Sequence, residues 1–143
     1  MIRQMTKYDK TSIVQMIKQF GKECPIEHYN NLEELHIVKL LDNILAGMGI
    51  GYIEENKGLI LGIIVPTTWN PKVLMLHELA WYVKPEFRNT PIGYRLLKKY
   101  IEYGNELKDS GRIKMFLMGR FDSSPNIKYE KFGFKKLEES WVQ

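Results

Sequence analysis

The sequence has 143 residues, of which 44% are hydrophobic and 27% charged, a composition typical of one globular domain. Cys24 is the single cysteine, so the chain can form neither an internal disulfide nor a zinc site built on cysteines, and we expect no bound metal. The net charge of +4 comes from lysines and arginines scattered along the chain, which suits an anionic cofactor and does not favour nucleic-acid binding.

No membrane segment or targeting signal is expected. No apolar run approaches the length that spans a bilayer, and residues 1–5 lack the apolar core of a signal peptide. No repeat or linker divides the chain. We therefore expect a single domain over residues 1–143, located in the cytoplasm.

The amino-terminal part predicts one strand and two helices. Residues 2–5 are a candidate strand, and apolar residues at helical spacing predict a helix from about Asp9 to Gly21. Residues 22–31 show no clear period and predict a loop with a helical turn. Residues 32–46 predict a second helix with a wide buried stripe.

The middle of the chain predicts three strands. Residues 51–54 and 59–67 are joined by a polar turn of hairpin composition. Pro66 indicates an edge or bulge position near the end of the second run. Residues 73–83 are apolar on both faces, which predicts a central strand covered by helices.

The carboxyl-terminal part predicts a helix from Pro91 to about Leu107 and a buried strand over residues 113–118. Because a helix joins this strand to the preceding one, the two should be parallel. A turn and a short helix follow, and residues 134–142 predict a final strand. The order of elements indicates the α/β (α+β) class.

The stretch from His77 to Ile101 contains the strongest functional signal, because an apolar strand runs through a short loop directly into an amphipathic helix. The first turn of a helix leaves N–H groups without partners and carries partial positive charge, so it attracts phosphate. Arg88 adds a full charge, and Thr90 and Pro91 suit an N-cap and a first helical residue. The sequence therefore predicts an anion site.

This stretch resembles the acetyl-CoA binding motif of the GNAT N-acetyltransferases, which reads Arg/Gln-x-x-Gly-x-Gly/Ala. Arg88 takes the first position and Gly93 the last, but Pro91 replaces the usual middle glycine and has no N–H to offer. The resemblance extends to Val83, Pro85, Glu86, Leu96 and Leu97.

A second block, residues 129–134, resembles the Tyr-x-Lys-x-Gly-Phe ending of the same family. Asp122 and Pro125 replace the Asn and Ala that usually precede it. The run from His77 to Val83 also resembles acetyltransferases carried in bacteriophage genomes. With the layout around the two motifs, the resemblance covers nearly the whole chain.

The resemblance implies a GNAT-like mixed, mostly antiparallel central sheet of about six to seven strands with about four helices and a parallel pair at the centre. It implies acetyl-CoA (coenzyme A) as the cofactor, contacted by Tyr82, Val83, Arg88, Asn89, Thr90, Ile92, Gly93, Tyr94 and Asp122. The acceptor, a small-molecule or protein amine, would contact Tyr29, Trp81 and Phe121. Pairing of two subunits into a homodimer through an exposed last strand is left open.

Amine acetylation requires a base for the amine, stabilisation of negative charge on the carbonyl oxygen and a proton for the thiolate. Glu78 lies in an otherwise apolar strand, where burial raises a carboxyl pKa towards that of a useful base. We interpret Glu78 as the base because we expect it to share a face with Ala80 and Tyr82, and because the resemblance includes glutamates on this strand. A buried ion pair is an equally supported alternative.

His77 is the alternative base. Successive strand residues point to opposite faces, so His77 and Glu78 cannot both line one site without a bulge. A structural role for His77 is favoured over catalysis. Tyr129 is the candidate acid for the thiolate, a role the resemblance implies, with a core tyrosine as the alternative.

The leading hypothesis is an acetyl-CoA dependent N-acetyltransferase that transfers the acetyl group directly, with Glu78 as base and Tyr129 as acid. Pro91, Asp122 and Pro125 support a different class, a catalytically degenerate module that holds an acyl-CoA or a protein partner. The excess of basic residues is the only feature that suggests a third class, a nucleic-acid binding protein. No motif identifies the acceptor amine.

Overall fold

The computed structural model describes all 143 residues. The helices and strands, in chain order, are β1 (Ile2–Gln4), α1 (Lys10–Lys22), α2 (Glu34–Asn43), β2 (Gly49–Glu54), β3 (Gly58–Thr67), β4 (Asn70–Val83), α3 (Ile92–Asp109) and β5 (Met115–Leu117). Short helical turns occupy Lys7–Asp9, Glu27–Asn30, Ile44–Met48, Pro85–Phe87 and Tyr129–Phe132.

The five strands form one sheet in the order β1-β2-β3-β4-β5. The first four strands pair antiparallel, and β4 pairs parallel with β5. Because α3 returns the chain to the same end of the sheet, β5 can run alongside β4 in the same direction.

Two hydrophobic cores lie on opposite faces of the sheet, because the strands are apolar at both alternating sets of positions. Leu59 and Leu61 of β3 pack with α1 and α2 on one face. Ile60 and Ile64 of the same strand pack with α3 on the other. The sheet is therefore the middle layer of three.

Two glycines let α3 lie close to the sheet. A Cβ on Gly62 would lie 2.9 Å from Cε2 of Tyr100, and a Cβ on Gly104 would lie 2.7 Å from Cγ of Phe116. These distances are shorter than side-chain contacts allow, so only glycine permits this packing. The close approach sets Tyr100 beside the end of β5.

The expected GNAT-like mixed α/β fold is confirmed, but the expected counts are wrong. The sheet has five strands rather than six to seven, and there are three α-helices rather than four. The parallel pair β4-β5 lies at the edge of the sheet and not at its centre, because no strand follows β5.

The missing strand is the one predicted over residues 134–142, which form no regular secondary structure. Charged residues occupy both alternating sets of positions in this segment, so neither face of a strand would be apolar. Leu137, Trp141 and Val142 are exposed. The short helix predicted after Pro125 is reduced to the single turn Tyr129–Phe132.

Smaller differences concern the ends of elements. The second predicted helix, residues 32–46, is α2 followed by a π-helical turn in which Gly47 has a φ of 96°. Pro66 coincides with a register shift in β3, an interior strand, so the bulge interpretation is the one that holds. None of the helices combines the length and apolar character that crossing a bilayer requires.

Candidate active site

A β-bulge in β4 determines which side chains meet at the candidate site. Leu61 of β3 pairs with Ala80, and the next residue, Gly62, pairs with Glu78. Leu79 is therefore an extra residue without an opposite partner, and the alternation of side chains changes at this point.

The bulge places Glu78 on the α3 face of the sheet. Its partner Gly62 alternates with residues of the α3-side core, whereas Ala80 and Tyr82 belong to the core with α1 and α2. The expectation that Glu78 shares a face with Ala80 and Tyr82 is therefore wrong, because it assumed unbroken alternation. His77 points to the face opposite Glu78, as expected, and is exposed.

Glu78 lies where β4 and β5 diverge. The parallel pairing ends at His77 and Leu117, so the edge of β4 from Glu78 to Val83 has no strand partner on the β5 side. The chain after β5 leads through Gly119 and Arg120 towards the turn that contains Tyr129. Glu78 is therefore the first residue of β4 beyond the end of this pairing.

Burial raises the pKa of Glu78 from its ordinary value of 4.5 to about 7, and the backbone N–H of Gly119, which stabilises the charged form, opposes this shift. No cation forms a salt bridge with this half-buried carboxyl. The alternative of a buried ion pair is therefore not realised. A carboxyl with a pKa near neutrality can both accept and release a proton at physiological pH.

Tyr129 is half-buried and close enough to Glu78 for the two groups to influence one another. Burial raises the pKa of Tyr129, the nearby Glu78 raises it further, and Arg120 lowers it. The ring packs edge-on against Phe134, with ring centres 5.9 Å apart. The phenol is therefore a protonated donor at neutral pH.

The first turn of α3 has three N–H groups without a backbone acceptor, and only the first of them has a side-chain acceptor, at 3.5 Å. Pro91 is the N-cap, and its carbonyl accepts the hydrogen bond from the N–H of Arg95 at 3.0 Å. The N–H groups of Ile92, Gly93 and Tyr94 have no backbone acceptor. The N-cap is therefore Pro91, one residue later than the predicted Thr90. Because Pro91, which has no N–H, comes before these three donors, it is not one of the positions that supply them.

Thr90 stabilises the loop rather than capping the helix closely. Its hydroxyl donates to the carbonyl of Phe87 at 2.6 Å, and its oxygen lies 3.5 Å from the N–H of Ile92. Asn89 is exposed in the same loop.

Arg88 is turned towards α1. Its guanidinium donates to Glu23 Oε2 at 2.7 Å and to the carbonyl of Val83 at 2.8 Å, and it lies 5.5 Å from the ring centre of Tyr82. The exposed ion pair borders an open cavity of about 440 Å³ whose lining includes Glu23, Tyr82, Lys84 and Glu86. An anion at the start of α3 would therefore compete with Glu23 for Arg88.

The predicted acceptor residues separate into two groups. Tyr29 and Phe121 come together, with ring centres 6.0 Å apart, and Asp122 is exposed beside them. Trp81 lies apart on the α3 face, where its Nε1–H donates to the carbonyl of Gly93 at 3.2 Å. Tyr94 is exposed and packs against Phe132, with ring centres 6.0 Å apart.

The family model described as "Acetyltransferase (GNAT) family" matches residues 7–134. The chain belongs to this family. GNAT acetyltransferases use acetyl-CoA, so the cofactor expected from the sequence is confirmed at the level of the family. A search among curated proteins found no match.

Solved GNAT structures share the fold along the whole chain. A GCN5-related N-acetyltransferase from Ralstonia eutropha is 16% identical, with a TM-score of 0.73, and the match covers 100% of this chain and 97% of that chain. A predicted acetyltransferase from Clostridium acetobutylicum, solved with acetyl-CoA, is 19% identical, with a TM-score of 0.69 and coverage of 100% and 94%. Glucosamine-6-phosphate N-acetyltransferase from Arabidopsis thaliana is 14% identical, with a TM-score of 0.65 and coverage of 100% and 96%.

The residues of this GNAT chain fit the cofactor that its family uses. A diphosphate needs several N–H donors and positive potential, which the first turn of α3 supplies. An extended arm with amide groups needs an unpaired strand edge, which β4 supplies beyond His77. The site therefore has both parts, although Arg88 is engaged by Glu23.

Three residues that are connected to the site in the structure were not predicted from the sequence. Glu23 pairs with Arg88, Gly119 interacts with Glu78, and the hydroxyl of Tyr100 donates to the carbonyl of Leu117 at 2.6 Å. A tyrosine on the inward face of a helix needs a hydrogen-bond partner, so the sequence already indicated that the Tyr100 hydroxyl would bond to a neighbouring element. Nothing in the sequence pointed to Glu23.

Proposed function

We propose that the chain is an acetyl-CoA dependent N-acetyltransferase that transfers the acetyl group directly to an amine, with Glu78 as general base and Tyr129 as general acid. One observation carries the proposal. Glu78 has its pKa raised to about 7 at the point where β4 and β5 diverge, within electrostatic influence of Tyr129. A base and a protonated donor close to one another are what acyl transfer to an amine requires.

Acetyl-CoA supplies an activated acetyl group when bound. The amides of Ile92, Gly93 and Tyr94 would hold its diphosphate, and the free edge of β4 up to Val83 would orient the arm. An N–H of that edge near Val83 would stabilise negative charge on the carbonyl oxygen. Arg88 would exchange Glu23 for a phosphate.

In this proposal the carboxylate of Glu78 accepts a proton from the incoming amine, directly or through one water. The phenol of Tyr129 donates its proton to the leaving sulfur. Burial of Glu78 raises its pKa and so makes the carboxylate basic near neutral pH.

The acceptor would enter past Tyr29 and Phe121, whose rings stand together on the segments before α2 and after β5. Aromatic walls provide apolar contact area and attract the cationic form of an amine. The proposal therefore extends to amines with an apolar or cationic portion near the reactive nitrogen.

The test measures acetyl transfer to a panel of amines by release of free thiol. Glu78→Gln keeps the shape but not the basicity of the side chain, and we expect kcat/KM to fall by about 100-fold or more. Tyr129→Phe should lower kcat by about 10-fold or more, because the thiolate loses its proton source. His77→Gln changes an exposed side chain on the opposite face and is the matched control, with activity unchanged.

Full activity in both Glu78→Gln and Tyr129→Phe would remove this mechanism. Loss of activity in His77→Gln alone would reassign the base. A pH profile adds a second criterion, since the wild-type rate should rise with pH through about 7, the pKa of Glu78.

Four sequence-based predictions extend the proposal. Residues 1–143 would act as one domain in the cytoplasm, and the run from His77 to Val83 would make the chain a bacteriophage-type member. A homodimer would have to use a surface other than the predicted last strand, since residues 134–142 form none. Gel filtration coupled to light scattering tests the dimer.

A further inference from the structure

Tyr100 is the largest fully buried side chain, and its hydroxyl has one partner. It donates to the carbonyl of Leu117, the last residue of β5, at 2.6 Å. The ring fits against the sheet because Gly62, the residue opposite Glu78, has no side chain. The hydrogen bond of Tyr100 therefore joins the centre of α3 to the carboxyl end of β5, next to Glu78.

The hydrogen bond from Tyr100 to Leu117 lies two residues before Gly119, whose N–H stabilises the Glu78 carboxylate. Leu117 is paired with His77, so the chain that continues from Leu117 passes beside Glu78. The N–H of Gly119 on this continuation interacts with the carboxyl. No strand pairs with residues after Leu117, so the position of Gly119 depends on where β5 ends.

We propose that Tyr100 is a positioning residue for the transferase reaction: through its hydrogen bond to Leu117, it holds the end of β5 so that the Gly119 amide faces Glu78. The proposal rests on the proposed function, in which Glu78 is the base. Tyr100 itself contacts neither the amine nor the thioester in this scheme.

The proton affinity of Glu78 is the readout of the test, and the titratable groups that face it lie on α3 and on the segment after β5. Tyr100 faces it from α3, since its ring lies against Gly62, the residue opposite Glu78. Tyr129 faces it from the segment after β5, and Arg120 acts on Tyr129 from that same segment. His77, its neighbour in β4, points to the other face of the sheet. Burial raises the pKa of Tyr100, so its phenol remains a donor throughout the pH range of interest.

The experiment titrates Glu78 directly by 13C NMR of the side-chain carboxyl in the cofactor-free protein. The Glu78→Gln variant assigns the signal by its loss. In Tyr100→Phe the end of β5 is released, Gly119 moves away, and we expect the pKa of Glu78 to rise by about 0.5 to 1 unit. The acidic limb of the pH–rate profile should move upward by the same amount.

Tyr103→Phe is the matched control, because Tyr103 lies on the same helix, packs edge-on against Tyr52 and forms no hydrogen bond through its hydroxyl. We expect no shift in it. Gly119→Pro removes the N–H itself and should reproduce the rise seen in Tyr100→Phe. The double variant should show no further rise, because both changes act through one interaction.

If Tyr100→Phe does not fold, Tyr100→Met also lacks the hydroxyl while filling the core with an adaptable apolar side chain. An unchanged Glu78 pKa in a folded Tyr100 variant would overturn the inference, and so would additive shifts in the double variant. Full activity of Glu78→Gln together with a shifted NMR titration in Tyr100→Phe would instead refute the proposed function and leave the positioning effect standing.

Discussion

Glu78 binds its proton more tightly in the folded chain than in the unfolded one, so its titration is linked to stability. Between pH 4.5 and about 7 the folded state holds a proton on this carboxyl that the unfolded state has lost. The free energy of unfolding therefore falls as the pH rises through this window. Above about pH 7 the stability that the bound proton contributed is lost. A buried carboxyl that titrates near neutral pH therefore lowers the stability of the fold above that pH.

Replacing Glu78 with Gln should remove this cost. At pH 8 we expect Glu78→Gln to unfold with a free energy about 1 to 3 kcal/mol higher than the wild type, and the difference should disappear as the pH falls to 4.5. Urea unfolding at both pH values measures it. Glu138→Gln, at an exposed position in the tail, is the control. A pH-independent difference would show that desolvation of the carboxylate is not its source.

The candidate reactive residues could be identified from the sequence, but the face of the sheet on which they lie could not. Glu78 in an apolar strand and Tyr129 before Lys131 and Gly133 are visible in the order of residues. The bulge at Leu79 is not, because it depends on how β3 pairs with β4. One extra residue reverses the face of every later side chain in the strand.

At the scale of elements, α3 and β5 are packed closely together through a glycine. Gly104 in α3 packs directly against the ring of Phe116 in β5. Glycine inside a helix is ordinarily unfavourable by about 0.5 to 1 kcal/mol relative to alanine. Its presence in α3 is explained by this contact.

Gly104→Ala would increase the helix propensity of α3 but would disturb its packing against Phe116. We expect the loss of packing to dominate. A Cβ would lie 2.7 to 2.8 Å from three ring atoms of Phe116, so β5 must move away from α3. We expect the free energy of unfolding to fall by about 1 to 3 kcal/mol despite the gain in helix propensity. Asn105→Ala, at an exposed position of the same helix, should be neutral or slightly stabilising. Thermal unfolding of both variants measures this, and a stabilised Gly104→Ala would contradict the packing geometry.

The elements themselves were largely predictable, whereas their ends were not. The hydrophobic period located α1, α3 and the four strands β1 to β4 within a few residues. The last predicted strand failed because a run of mixed apolar and charged residues needs a neighbouring strand to pair with, and periodicity alone does not supply one. Short apolar segments depend on their surroundings more than on their own propensity.

For the whole molecule, ligand binding distinguishes an enzyme from a module that no longer binds the cofactor. Acetyl-CoA at 100 times its dissociation constant should raise the free energy of unfolding by about 2.7 kcal/mol, because it binds only the folded chain. A thermal-shift series with acetyl-CoA measures this, and Arg88→Ala should require a higher concentration for the same shift. Absence of any shift at millimolar acetyl-CoA would contradict the assigned cofactor and would leave, of the degenerate modules, only one that holds a protein partner.

The sequence by itself determined the family and the cofactor of that family, and it indicated the residue types at the candidate site, because these depend on local order: a strand, a loop with Arg88 and Gly93, and the start of a helix. Only the tertiary structure decided that Glu78 faces α3, that Glu23 pairs with Arg88, and that Tyr100 and Gly119 lie next to Glu78. The physical reason is that these relations arise from strand register and from packing between elements distant in the chain, and neither leaves a mark on the local pattern of residues.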